Sequence, residues 1–192
     1  MKNMDISKIK QGVRLILEGI GEDVRSARLK ETPQRAAEMF AEVLSGTGKD
    51  PRKFLKALTE EEHDEMVILK DIPIYSMCEH HLLPFSGKAS IAYIPKKGKI
   101  IGLNTMGYLV DFLAKRLQLQ ERLTKQIADY LVQALDPLGV MVVIKAEHLC
   151  MTMRGVKKPG SLTITSAVRG VFRDDLGPRQ EAMSLLMAPE NR

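Results

Sequence analysis

Val140-Met141-Val142-Val143-Ile144-Lys145-Ala146-Glu147-His148-Leu149-Cys150 is a run of β-branched and apolar residues that ends in an imidazole and a thiol. Its composition predicts a strand over 140–149. Residues two apart on a strand face the same side, which would bring His148 and Cys150 together. A second such cluster occurs at Cys78-Glu79-His80-His81, where a thiolate and an imidazole three residues apart can chelate one ion from a tight turn. Both cysteines and three of the four histidines lie in these two segments. Thiolate and neutral imidazole suit zinc, and three protein ligands with an open fourth position make a catalytic site. A structural four-ligand site is the competing reading, but the paired Cys-x2-Cys knuckle is missing. A lone cysteine is usually inert packing, and a lone histidine is often a satisfied core or surface group. Two independent clusters with no cysteine left over are harder to dismiss. A histidine there that is not a ligand is free to exchange protons with a substrate.

Outward from that strand, the chain changes period about a third of the way along. Residues 5–20 read as a helix with Ile6, Ile9, Val13, Ile16 or Leu17, and Ile20 on one stripe, ended by Gly19 and Gly21. Thr32-Pro33 supplies a cap and a first-turn proline for a helix over 34–44, with Ala37, Phe40 and Leu44 inward. A short helix is expected over 51–58, and Thr59 with Glu62 forms a capping box for another turn. Strand patterns then cover 66–70, 72–76 and 88–94, separated by Pro73, Pro84 and Gly87, with a basic hairpin turn at 95–99. Two helices follow at 106–117 and 121–135, then the strand 140–149, a turn at Lys157-Lys158-Pro159-Gly160, a strand at 162–172 and a last helix at 178–186. Strand, strand, helix, helix, strand, strand is an α+β pattern. No repeat at fixed period and no low-complexity linker interrupts it.

At 192 residues the chain is expected to form one domain, either alone or as a core with a small appendage. No apolar stretch reaches membrane-spanning length, and the N-terminus enters its helix with no apolar signal core, so a cytoplasmic location without membrane association is expected. Two cysteines fit reduced thiols better than a disulfide framework. A net charge of +5 mildly favours anionic ligands. With aromatic residues at 5% and not interleaved with the basic ones, no nucleic-acid surface is expected.

Longer segments carry a resemblance. Cys78-Glu79-His80-His81-Leu82-Leu83-Pro84-Phe85, Gly87-Lys88-Ala89 and Ala92-Tyr93-Ile94-Pro95 closely resemble the GTP cyclohydrolase I family, as do Gln118-Leu119-Gln120-Glu121-Arg122-Leu123-Thr124 and Glu147 through Val156. The likeness continues through Thr165-Ser166-Ala167-Val168-Arg169-Gly170 and, more weakly, Thr32-Pro33-Gln34-Arg35. It implies an N-terminal helical region, 1–62, followed by a tunnelling-fold catalytic region, 63–192, in which a four-stranded antiparallel sheet is backed by two helices. It implies zinc (Zn2+) held by Cys78, His81 and Cys150 with water completing the shell, and His80 and His148 handling protons, their division of roles left open. The implied reaction begins with water adding at C8 of the guanine ring of GTP while His148 protonates the neighbouring nitrogen. Release of C8 as formate and an Amadori-type rearrangement then give 7,8-dihydroneopterin triphosphate. Glu121 is implied to bind the guanine edge, Gln120 to add an amide contact to the substrate, and Arg154 with Arg35 to meet the triphosphate. Without the resemblance Glu121 would read as a solvated helix-start charge, and the arginines as solubility charge. The implied assembly is a homo-oligomer, a decamer of two pentamers, with sites at subunit boundaries.

One segment departs from the pattern. After Ile101-Gly102-Leu103 the family normally places serine and lysine, with an arginine three positions beyond the lysine; this chain has Asn104, Thr105 and Tyr108, and Leu162 stands where a further lysine is usual. Charge-assisted bonds to phosphate are the strong class, so these changes are not neutral. Lys157, Lys158 and Arg28 are candidates to compensate. The ring-opening groups are intact while the phosphate clamp is altered. That leaves as alternatives a paralogue acting on another guanine nucleotide or related purine, and a non-catalytic purine- or pterin-binding protein.

Overall fold

The computed structural model describes residues 4–59 and 63–188. Its centre is the strand from which the sequence was read. β6 in chain order (Gly139–His148) is flanked on one side by β3 (Pro84–Ile94) and on the other by β7 (Thr163–Gly170), both antiparallel. β6 is almost continuously apolar because both of its faces are covered. Val140, Val142, Ile144 and Ala146 point into the larger core, with Leu109, Leu113, Leu123, Ile127 and Leu131. Met141 and Val143 point the other way, onto Phe172, Ala182 and Leu186. Each of the buried Val, Leu, Ile, Met and Phe side chains contributes about 1.5–3 kcal/mol.

The helices covering the larger face are α3 (Leu103–Ala114) and α4 (Gln120–Leu135), and the opposite face is closed by α7 (Leu176–Met187) after a single turn, α6 (Val171–Asp174). Before the sheet come α1 (Ile6–Gly19) and α2 (Thr32–Val43), packed chiefly on each other. The α+β architecture, antiparallel sheet backed by two helices, is therefore present. Its four long strands run in the order β2-β3-β6-β7, where β2 is Val67–Cys78. The order gains a fifth member, the two-residue β5 (Leu117–Gln118), parallel to the end of β2. Among the described residues no helix is long and apolar enough to cross a membrane.

Local departures from the sequence reading have physical causes. The strands expected at 66–70 and 72–76 are one strand, β2, bent by a bulge between Leu69 and Ile72 where Asp71 takes φ 57°. Pro73 sits inside β2, and Gly87 does not break β3. A Cβ at Gly87 would lie 2.0 Å from the Lys145 carbonyl oxygen, so the glycine permits close approach to β6. The helix expected at 51–58 shrinks to a 3-10 turn at Pro51–Lys53. Leu58–Thr59 instead forms β1, which pairs with β4 (Lys99–Ile100). Thr59 is thus extended, and Glu62 of the expected capping box lies outside the described residues. On α1, Leu17 rather than Ile16 joins the inward stripe; Ile16 and Ile20 are exposed. Pro33 occupies the first turn of α2, but the helix already begins at Thr32, and Glu31 at its N-cap makes no side-chain cap bond. The helix expected at 106–117 begins and ends three residues earlier, as α3, because Leu117 is drawn into β5.

Candidate metal centre

The strand does not carry both members of the second cluster. β6 stops at His148, opposite Phe85, because its partner β3 begins at Pro84, which has no N–H to extend the ladder. Leu149–Thr152 then forms a helical turn, α5, so Cys150 is aimed by a helix and not by the same strand face as His148. The expected shared face is corrected on this point. The two side chains separate: Cys150 turns to Cys78, and His148 turns to Gln120.

The first cluster lies in the tight turn between β2 and β3. Leu82 N–H donates to the Cys78 carbonyl and Cys78 N–H donates to the Leu83 carbonyl, each at 2.9 Å. Leu82 takes φ 53° to complete the reversal. Glu79 N–H donates to the Gln118 carbonyl at 3.1 Å, and the Arg122 guanidinium donates to both oxygens of the Glu79 carboxylate. The turn is thereby pinned to β5 and the first turn of α4. One ligand atom each from Cys78, His81 and Cys150 lies within 4.8 Å of the others, with Cys78 buried and His81 exposed. Two sulfurs and an imidazole at that spacing can hold one transition-metal ion. Burial, and then the neighbouring Cys78, push the Cys150 thiol up; a bound cation reverses that preference by stabilising thiolate.

His148 is held beside this group. Its ring stacks on Phe85, with centroids 4.6 Å apart and planes at 8°. Its Nε2 lies 2.8 Å from Oε1 of Gln120. Burial holds the His148 pKa below its ordinary value, opposed by the charge of Glu121. The imidazole is therefore neutral near neutral pH.

The remaining predicted residues divide in two. Glu121, exposed in the first turn of α4, is close enough for its charge to act on His148, and Arg154 is close enough to act on Cys150. His80 is exposed and meets His81 edge-on at 6.2 Å. Gln120 is brought in but is only 1% exposed, its amide bonded within the chain. By contrast, Arg35 is paired with Glu31 and Arg28 with Glu22, each at 2.6 Å, and among the described residues neither touches the metal group. Lys157, Lys158 and Leu162 lie on the exposed loop after α5. Asn104 and Tyr108, on the first turns of α3, line a cavity of about 420 Å³ with Leu69, Asp71 and Pro73 of β2. Phe85, Glu79, Arg122, Thr124 and Thr165 stand in the segments that carry the resemblance but were assigned no individual function. The available signal was Gln120 and Thr124, four apart on the apolar face of α4 with Leu123 and Ile127.

The GTP cyclohydrolase I family model matches residues 9–187. GTP cyclohydrolase 1 of Carboxydothermus hydrogenoformans is 60% identical over 183 residues, 95% of this chain and 95% of that one. The protein of the same name from Pelotomaculum thermopropionicum is 59% identical, covering 95% of this chain and 97% of its own. That of Clostridioides difficile is 57% identical over 97% of this chain and 98% of its own. With the family's segments placed around one Cys-His-Cys group and matched along nearly its whole length, the chain belongs to the GTP cyclohydrolase I family.

Proposed function

We propose that this chain is a zinc-dependent GTP cyclohydrolase I, which hydrolytically opens the guanine imidazole ring of GTP, releases C8 as formate and forms 7,8-dihydroneopterin triphosphate. The observation that carries this reading is the convergence of Cys78, His81 and Cys150 within 4.8 Å in a chain of this family. Two thiolates and an imidazole are ligands that zinc prefers, and three of them leave a fourth position open, so the donor set fits the ion. Zinc bound there supplies Lewis acidity that brings the pKa of water toward neutrality.

The chain's own groups do the rest. His148, neutral and fixed against Phe85, accepts the proton that water loses as it adds at C8 and delivers it to the neighbouring ring nitrogen. His80, exposed beside His81, serves the later proton transfers of ring opening and rearrangement. Glu121 presents a carboxylate that accepts two hydrogen bonds from the guanine ring N–H and exocyclic amine. Arg154 meets the triphosphate with its planar donor fork. In the proposed homodecamer of two pentamers, sites lie at subunit boundaries, so Arg35 reaches the site of a neighbouring copy. The need for reduced thiols as ligands fits a cytoplasmic location.

Zinc-loaded protein given GTP is expected to release formate and produce pterin fluorescence, with about one zinc per chain. Zinc-loaded protein that releases no formate from GTP would overturn the reading. A second reading, another guanine nucleotide or related purine as substrate, is favoured by one observation: the exposed turns of α3 present the neutral Asn104 and Tyr108 to a cavity. Comparing GTP, GDP, GMP and guanosine in the same assay separates the two. Strong preference for GTP removes the second.

A further inference from the structure

We infer that Gln120 is a positioning residue that fixes the tautomer of His148, so that in the neutral ring Nε2 carries the proton and Nδ1 the reactive lone pair. The inference rests on the reading that His148 exchanges protons with the substrate.

The neighbours of the Gln120 amide decide which of its two polar atoms faces His148. Gln120 is 1% exposed, so water does not complete its hydrogen bonding. Its nitrogen lies 3.1 Å from the Ile144 carbonyl and 3.0 Å from the Thr163 carbonyl. Both partners accept only, so the NH2 group must face them. The flipped amide would oppose oxygen to oxygen at those distances, leaving buried acceptors unmatched. The same nitrogen lies 3.0 Å from Thr165 Oγ1, so one of its two N–H groups is shared between two of these three acceptors. The threonine hydroxyls agree with that direction. Thr124 donates to the Gln120 carbonyl at 2.7 Å, which leaves Thr165 to donate to Thr124 at 2.6 Å and to accept from the amide.

With NH2 committed, Oε1 is the atom left to face His148 Nε2, at 2.8 Å. An amide oxygen only accepts, so Nε2 must donate. A neutral imidazole has one N–H, hence Nδ1 is bare. Phe85, stacked at 4.6 Å and 8°, fixes the ring plane, and the amide fixes rotation within that plane. The bonds to Ile144, Thr163 and Thr165 span β6 and β7, so the tautomer of one side chain is set by the register of two strands and the start of α4. Gln120 itself has no donor left over for a substrate.

Full-length, zinc-loaded protein labelled with [15N]histidine carries only four such residues, few enough for solid-state NMR of the sedimented protein. The signals lost in His148→Ala belong to His148. At mildly alkaline pH they should show a protonated Nε2 and a bare Nδ1; the opposite pattern overturns the inference without any Gln120 variant. Gln120→Met keeps length and removes both amide functions. It is expected to retain zinc and leave KM for GTP within about 3-fold, lower kcat by roughly 10–100-fold, and mix the His148 tautomers. Thr165→Val, which removes the amide's remote acceptor together with the hydroxyl donated to Thr124, should give a smaller loss in kcat in the same direction. Unchanged kcat in Gln120→Met, or a raised KM alone, overturns the inference, the second by placing the amide on the substrate. Full turnover in His148→Ala would instead overturn the proton-exchange reading, while the NMR pattern still reports the tautomer.

Discussion

The metal end of the molecule and the N-terminal turns of α3 are built on opposite plans. Around Cys78, His81 and Cys150 each side chain is positioned by backbone bonds, by the Glu79–Arg122 pair, or by the register of the sheet. On α3, Asn104 and Tyr108 project from exposed helical turns, Tyr108 at 64% exposure. A change at the first end disturbs strands and helices together. A change at the second replaces one solvated side chain by another. That difference lets the α3 positions change with little consequence for the fold, while the Cys-His-Cys end is tied to strands and helices together.

The largest effect is expected from the buried end. Cys78→Ser or Cys150→Ser should lose bound zinc and all measurable formate release, checked by metal analysis beside the activity assay. Wild-type occupancy in both would remove them from the ligand set. Because burial raises the Cys150 thiol pKa, metal must displace a proton from it at neutral pH. Zinc affinity should therefore rise with pH toward the thiol range and fall as pH drops. Calorimetric titration in buffers of different ionisation enthalpy should show proton release; none would mean that thiolates are not formed. His148→Ala should retain zinc and lose about 10²–10⁴ in kcat, the scale of a general acid–base group. Metal loss in that variant would make His148 a ligand.

Glu121→Ala should come next, raising KM for the guanine nucleotide with zinc unchanged; unaltered affinity would reject its contact with the base. The smallest effect, and the sharpest test of the contrast, belongs to α3. Thr105→Lys with Tyr108→Arg should increase discrimination of GTP over guanosine by about 10-fold or more, since one charge-assisted hydrogen bond contributes roughly 1.5–3 kcal/mol. Fold stability should change little, because Tyr108 is exposed and Thr105 is not in the buried core. No change in discrimination would mean that α3 does not face the phosphates.

Legibility in the sequence followed the range of the interaction. The apolar runs of β3 and β6, the stripe of α4 and the two Cys/His clusters are local patterns, and each appears where its pattern falls. β1 was unreadable because two residues, Leu58 and Thr59, are a strand only by virtue of β4. β2 read as two strands because Pro73 and the bulge at Asp71 look like breaks until β3 supplies the partner. The substrate contact of Gln120 was implied by the resemblance, and nothing local in the sequence marked its side chain as buried. Burial against Ile144 and Thr163 is a property of β6 and β7.

The sequence by itself determined the α+β class, the central strand and two Cys/His clusters that point to a metal, since residue chemistry and short spacing carry all three; the choice of Cys78, His81 and Cys150 among their donors came from the family resemblance. Tertiary structure alone decided that His148 and Cys150 part company at the end of β6, that Glu79 closes on Arg122, and which atom of His148 meets Gln120. The direction of a side chain and the partner of a buried polar atom depend on segments distant in sequence, and those meet only when the sheet is assembled.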